Sequence, residues 1–214
     1  MGRPTSPLIT RSATVAATLA LLEREGLEGF SLRRLAAEMG VNQASLYYHF
    51  EGGRAEILSA AARMTLAELE LPEPGEDWVE WMCSVAIVYR RLLVNRPFLI
   101  DVVVSGYRPR TAVVAFGESN LAAAGVSEEY HQPILDALES MTVGSALASV
   151  ARRRVKGPAA KATKAVQARA ADVEEHLLRV SHRALLEAVI KDPTLVVVNS
   201  ATISRNPRRR PLTP

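Results

Sequence analysis

The residues whose types and spacing could do chemistry lie between Ser31 and Phe50, in the run SLRRLAAEMGVNQASLYYHF. Gln43 can make a paired hydrogen bond to an adenine edge, and Ala44 can lie against a thymine methyl. Ser45, Tyr47 and Tyr48 can reach base edges or phosphate oxygens. Arg33 and Arg54 flank this group and can neutralise phosphates, helped by the first N–H groups of their helices. Such work requires the side chains to stand on one short rod, outside its own core. The same run supplies the means: Ala36 is small where two helices must approach, Gly40 can take a positive φ, and Val41 and Leu46 plug a small interior. A plain helical hairpin explains the Leu, Ala, Gly and Val pattern equally well. It does not explain Tyr47 and Tyr48 followed by His49 and Phe50, because so many large, polar-tipped side chains cannot all face one small core. The spacing therefore predicts a helix-turn-helix whose second helix enters a major groove.

The elements that must hold this rod are helical. Val15, Leu19 and Leu22 recur at helical spacing from Thr10 to Glu25, with Thr10 or Ser12 to cap the start and Gly26 to stop the end. A short helix is expected from Ser31 to Met39, a third after Asn42, and a longer fourth over 54–70, ended by Pro72, Pro74 and Gly75. Trp78, Met82, Val85, Tyr89 and Leu92 mark a fifth, closed by Asn95. Pro97 and Pro109 suit first helical turns, giving helices to about Ser105 and about Ala124. Ser127, Glu128 and Glu129 open a long helix running toward the basic Arg152, Arg153 and Arg154. After Gly157 and Pro158, residues 162–190 form a last long amphipathic helix. Leu195 to Ile203 is β-branched and strand-like, and Arg205 to Pro214 is basic, proline-rich and expected to be disordered. The expectation is all-α: about nine helices in two parts, 1–58 and 59–190, then a partly disordered tail over 191–214.

Bulk charge is uninformative. The net charge is only +3, and residues 1–58 carry six Arg against six Glu, so a nucleic-acid reading rests on motif and placement. The single cysteine, Cys83, cannot form an internal disulfide and reads as a small buried hydrophobe in a reducing, cytoplasmic protein. Neither a signal core nor a membrane span of about 20 apolar residues is evident. No phosphate-binding loop, nucleotide-binding glycine pattern or nucleophile elbow is present, so an enzyme is not expected. Glu128 and His131 form a lone Glu-x-x-His, short of the paired motif of a di-iron bundle, and neither metal nor cofactor is expected.

From Phe30 to Leu58 the chain resembles the N-terminal signature of the tetracycline-repressor (TetR) family, and the arrangement of Val41, Gln43, Leu46 and Tyr47 is similar to that family's recognition helix. Position by position, the resemblance implies operator contacts by Ser31, Arg33, Gln43, Ala44, Ser45, Tyr47, Tyr48, His49 and the start of the fourth helix. The family's usual spacing after His-Phe is two residues and then a lysine. Here Glu51, Gly52 and Gly53 precede Arg54, which makes Arg54 the displaced basic anchor. The resemblance further implies a C-terminal domain that binds a small-molecule inducer, and a homodimer formed through a four-helix bundle of the last two long helices. Its Gly144, Ala146 and Ala148 permit close approach, and Leu177, Val180 and Leu185 supply an apolar stripe. The function implied is a repressor released from double-stranded operator DNA by its inducer. An activator, or a helical interaction module with the same head, remains open at this stage. Trp81, Met82, Tyr89, Phe98, Tyr107, Phe116 and Met141 are candidates to line the inducer cavity, although an aromatic or methionine on a helix face serves equally as ordinary core.

Overall fold

A computed structural model of the chain describes residues 9–105, 112–154 and 164–196. Among them the elements are α1 (Arg11–Gly29), α2 (Leu32–Glu38), α3 (Gln43–His49), α4 (Gly53–Ala67), α5 (Trp78–Asn95), α6 (Phe98–Val104), α7 (Ala112–Ala123), α8 (Glu128–Arg154) and α9 (Lys164–Lys191). The all-α expectation holds. Thr10 caps α1 by accepting from the Ala13 amide at 3.1 Å, and Asp77 caps α5 by accepting from the Glu80 amide at 2.9 Å. Gly26, with φ +70°, interrupts α1 at the position read as its stop, and one further turn reaches Gly29. The fourth helix begins at Gly53 and ends at Ala67, short of the expected residue 70. The strand-like reading is corrected at its start: Pro193–Val196 is a single 3-10 turn, because Asp192 accepts from the Thr194 amide and turns the chain back. The remainder of that stretch, the tail and the Gly157 and Pro158 break lie outside the described residues.

Two apolar clusters organise the packing. One joins α1 to α4 with the end of α5, α6 and the C-terminal part of α8, through residues such as Leu21, Leu35, Phe50, Ile57, Leu93 and Leu99. The other sits between α5, α7, α8 and α9 around Cys83, Leu121, Ile134 and Leu186. Helices α5 and α8 run through both, so the N-terminal helices are seated on the body rather than tethered to it. A boundary at residue 58 would fall inside α4, whose Ile57, Leu58, Ala61 and Ala62 all belong to the first cluster. By length and composition α8 could cross a bilayer. Here, though, Ile134, Leu135, Leu138, Ala146 and Val150 are core against other helices. Cys83 is buried, with its thiol pushed up by desolvation, which suits an inert packing role.

Polar ties fix α9 against the rest. Arg90, buried on α5, donates to Ser145 and Ser149 of α8 and to Glu174 of α9. Arg179 of α9 pairs with Glu80, which also takes Arg183 at 2.5 Å. The Arg90 guanidinium, with several fixed acceptors, tolerates such burial, and losing its carboxylate partners Glu174 and Glu175 would leave its charge uncompensated.

Candidate nucleic-acid interface

The rod is α3, and its local sequence explains its placement. Ser31 caps α2 by accepting from the Arg34 amide at 3.2 Å. Gly40 then takes φ +65°, and the Val41 amide donates to the Ala36 carbonyl at 2.9 Å, closing the tight turn. Asn42 caps α3 through its side-chain oxygen, which accepts from the Ala44 amide at 2.9 Å. Leu46 and Phe50, 1% and 0% exposed, pin the helix to the core from one side. On the other side Gln43 and Ala44 are exposed and Ser45 and His49 are half-buried. Tyr47 and Tyr48 are 46% and 85% exposed, so both rings are left available outside the core. Tyr48 and His49 meet edge to face at 5.3 Å.

The Glu51-Gly52-Gly53 departure acquires a physical reason. Gly53 has φ +57°, and a side chain there would come within 2.9 Å of the Tyr47 ring. The glycine thus lets α4 start beneath Tyr47 and keeps that ring on the outer face. Arg54, in the next position, is exposed and lies with its guanidinium 5.7 Å from the Phe30 ring. Arg33 is exposed on α2, whereas its neighbour Arg34 is engaged with Glu25 at 2.5 Å.

One group was not legible in the sequence. Arg11, in the first turn of α1, donates to the His49 carbonyl at the end of α3 and to Glu56 of α4, the latter at 2.6 Å. Its guanidinium stands 4.2 Å above the Phe50 ring. Glu56 in turn accepts from the Gly52 amide at 3.0 Å. Arg11 and then Gly52 hold the Glu56 carboxyl below its usual range. Thirty-eight residues separate Arg11 from His49, a distance no local pattern spans.

In the body, a cavity of about 460 Å3 opens between α5, α7, α8 and the end of α4. Met82, Val85, Ala86, Tyr89, Leu135 and Leu138 form its apolar wall, and Leu66, Leu69 and Leu71 reach it from α4 and the following segment. Of the residues expected to line it, Met82 and Tyr89 do. Trp81 instead packs on Phe116 at 4.5 Å and donates its indole N–H to the Pro72 carbonyl at 2.8 Å, holding down the segment after α4. Phe98 is core in the first cluster, and Met141 faces a separate shallow groove beside Leu177 and Leu178. Tyr107 lies outside the described residues. His182, which sequence reading passed over, lines the cavity from α9. Its Nδ1 donates to the Leu178 carbonyl at 3.0 Å and its Nε2 lies 3.1 Å from the Thr142 hydroxyl, while burial lowers its pKa. Its spacing from the apolar stripe of α9 was the available signal.

The fold and the uncovered α3 define the class: a helix-turn-helix protein built on a helical body. Residues 15–61 match the family model for bacterial regulatory proteins of the tetR family. The class D tetracycline repressor of Escherichia coli is 35% identical over 90 residues, which are 41% of each chain. The chain is therefore matched over about two-fifths of that relative's length. Among solved structures, a TetR-family transcriptional regulator from Streptomyces coelicolor is 29% identical, covering 90% of this chain and 99% of its own, with a TM-score of 0.55. A TetR variant from Acinetobacter baumannii AYE, in complex with minocycline, shares the fold at 24% identity and a TM-score of 0.67, covering 86% of this chain and 98% of its own. Its N-terminal region, residues 15–61, is thus of the tetR type of bacterial regulatory proteins, and the body that follows shares the fold of solved TetR-family structures.

Proposed function

We propose that this chain is a cytoplasmic, ligand-responsive transcriptional repressor that holds a palindromic operator as a homodimer and lets go when a small molecule fills the body cavity. One observation carries the reading: α3 is fixed from beneath by Leu46 and Phe50 while Gln43, Ala44, Tyr47 and Tyr48 stand in solvent. In this reading Gln43, Ala44, Ser45, Tyr47, Tyr48 and His49 meet the major groove. Ser31, Arg33 and Arg54 hold the phosphates on either side. Residues 1–58, with the part of α4 that packs beneath them, supply the DNA-binding head, and the rest of 59–190 supplies effector binding and dimerisation.

Exposed Val166, Val173, Leu177 and Val180 on α9, with Leu147 on α8, form an apolar stripe that a second copy would cover. A two-fold pair joined there presents two copies of α3, and half-sites about 34–36 Å apart would receive them. The cavity is mainly apolar with a few polar groups, as small-molecule sites are. Its occupant would press on Leu66, at the end of α4 opposite the recognition helix. Release then needs only that the ligand bind better to an arrangement in which the two heads no longer fit successive grooves. No step calls for a metal or cofactor.

Binding of wild type and variants to a duplex selected by the wild-type protein from a random library tests the assignment. Tyr47→Ala and Gln43→Ala should each lose about 1–3 kcal/mol of discrimination against a scrambled duplex. Undiminished selectivity in both variants would refute the recognition role of α3.

A further inference from the structure

We infer that Arg11 is the positioning residue of the recognition helix, tying the end of α3 to the start of α4 so that the two move as one piece. The inference rests on the DNA-binding reading above. Its evidence is the convergence of three helices at one guanidinium. From the first turn of α1, Arg11 donates to the His49 carbonyl and to Glu56 Oε1, and its guanidinium carbon stands over the Phe50 ring.

Each contact falls where a charge is most useful. The last carbonyls of a helix lack intrahelical donors and carry the negative end of its dipole, so a guanidinium at His49 satisfies and neutralises the end of α3. The first turn of α4 carries the opposite partial charge. Glu56 sits there, bonded to the Gly52 amide as well as to Arg11. Phe50, wholly buried, gives the guanidinium a fixed floor. Lysine has donors enough for both acceptors, but it is a compact point charge without the planar fork that reaches them from above the ring.

The placement matters because α4 is a rod of 15 residues, about 22 Å long at 1.5 Å per residue. Its last turn carries the cavity-lining Leu66, and its first turn carries the clamp. A displacement produced at the cavity reaches α3 only if α3 and the start of α4 are joined. Alongside the short covalent link Phe50-Glu51-Gly52, the packing of Tyr47 on Gly53 and the core shared by Leu46, Phe50, Ile57 and Leu58, Arg11 adds a directed polar tie between them. The pair is partly solvated, with side chains 53% and 30% exposed, so its loss should cost little folding stability.

Glu56 makes the test decisive, because two explanations predict opposite signs. If Arg11 only attracts phosphate, Glu56 is an unhelpful negative charge near DNA, and Glu56→Gln should tighten binding. If Arg11 positions α3 through Glu56, the same change should weaken it. Arg11→Ala, Arg11→Lys, Glu56→Gln and the Arg11→Ala/Glu56→Gln double variant are titrated, as full-length chains, against the selected duplex at several salt concentrations. Thermal melts confirm folding. The expected result is a loss of about tenfold in affinity for each single variant, an equal loss in the double variant, and an unchanged slope of affinity against salt. Tighter or unaltered binding by Glu56→Gln overturns the inference. Full rescue by lysine, or a salt slope reduced by about one for Arg11→Ala alone, also overturns it and makes Arg11 a phosphate contact. Failure of the wild-type protein to select any duplex overturns the DNA-binding reading itself, and the inference with it.

Discussion

In the head, Leu35, Phe50, Ile57 and Ala61 are all 0% exposed, and the residues proposed to meet DNA lie outside the seal they make. In the body, the helices border a half-open cavity of about 460 Å3, and the residues proposed to meet a ligand face it. Both regions are helices packed at short range, yet one withholds nothing from its core and the other leaves a gap in it. Presenting a rigid outer face demands a core without slack, because a recognition helix that rocks loses the geometry of its base contacts. Accepting a guest demands the reverse: apolar side chains whose contacts are left unmade until something arrives. The stability that a filled core would have contributed is then available to a ligand instead.

The same kind of mutation should therefore have opposite consequences in the two regions. The largest effect is expected from emptying the head: Phe50→Ala should cost about 3–5 kcal/mol in chemical denaturation, since the ring is wholly enclosed and nothing near it can collapse freely. Adding volume is next and discriminates best. Ala61→Leu, in the sealed core, should cost about 1–3 kcal/mol through overpacking. Ala86→Leu, on the cavity wall, should stay within about 0.5 kcal/mol of wild type and reduce the room for a ligand. Equal costs for the two leucines would show that the body is as tightly packed as the head.

The smallest expected effect concerns His182, which connects the cavity to α9. Burial lowers its pKa from the ordinary 6.5, so the unfolded chain takes up a proton that the folded chain refuses. The sign follows from that difference: His182 is neutral in both states well above pH 6.5, and the folded state loses ground as pH falls below it. Melting temperature should decline from about pH 7.5 to about pH 5.5, and His182→Gln should flatten that decline. Glu38 and Glu56 titrate below the ordinary carboxylate value of 4.5, outside this window. An unchanged slope in His182→Gln would mean that the imidazole is not the group refusing the proton.

What could be read directly from the chain divides along the same line. The positions of the helices, the tight turn at Gly40, the caps at Ser31 and Asn42, and the outward face of α3 follow from interactions reaching at most four residues, which periodicity and turn chemistry encode. Even there the Gly53 spacing could be noticed but not explained until Tyr47 was seen resting on it. In the body the apolar periods marked helices correctly but could not say which apolar residue borders a void. Trp81 and Phe116 found each other, Phe98 joined the head's core, and Met82 and Tyr89 reached the cavity, although all five look alike as members of a helical stripe.

Sequence by itself determined that this chain is helical, roughly where its helices lie, and which short helix is too polar and aromatic to bury. Tertiary structure alone decided that Arg11 would reach His49, that Arg90 would gather Ser145, Ser149 and Glu174, and that His182 would look into a cavity. The physical reason is reach. Hydrogen bonds within a helix and its caps are settled between near neighbours, whereas side chains 38 or 84 residues apart meet only after crossing angles and interhelical gaps have been fixed by the packing of everything else.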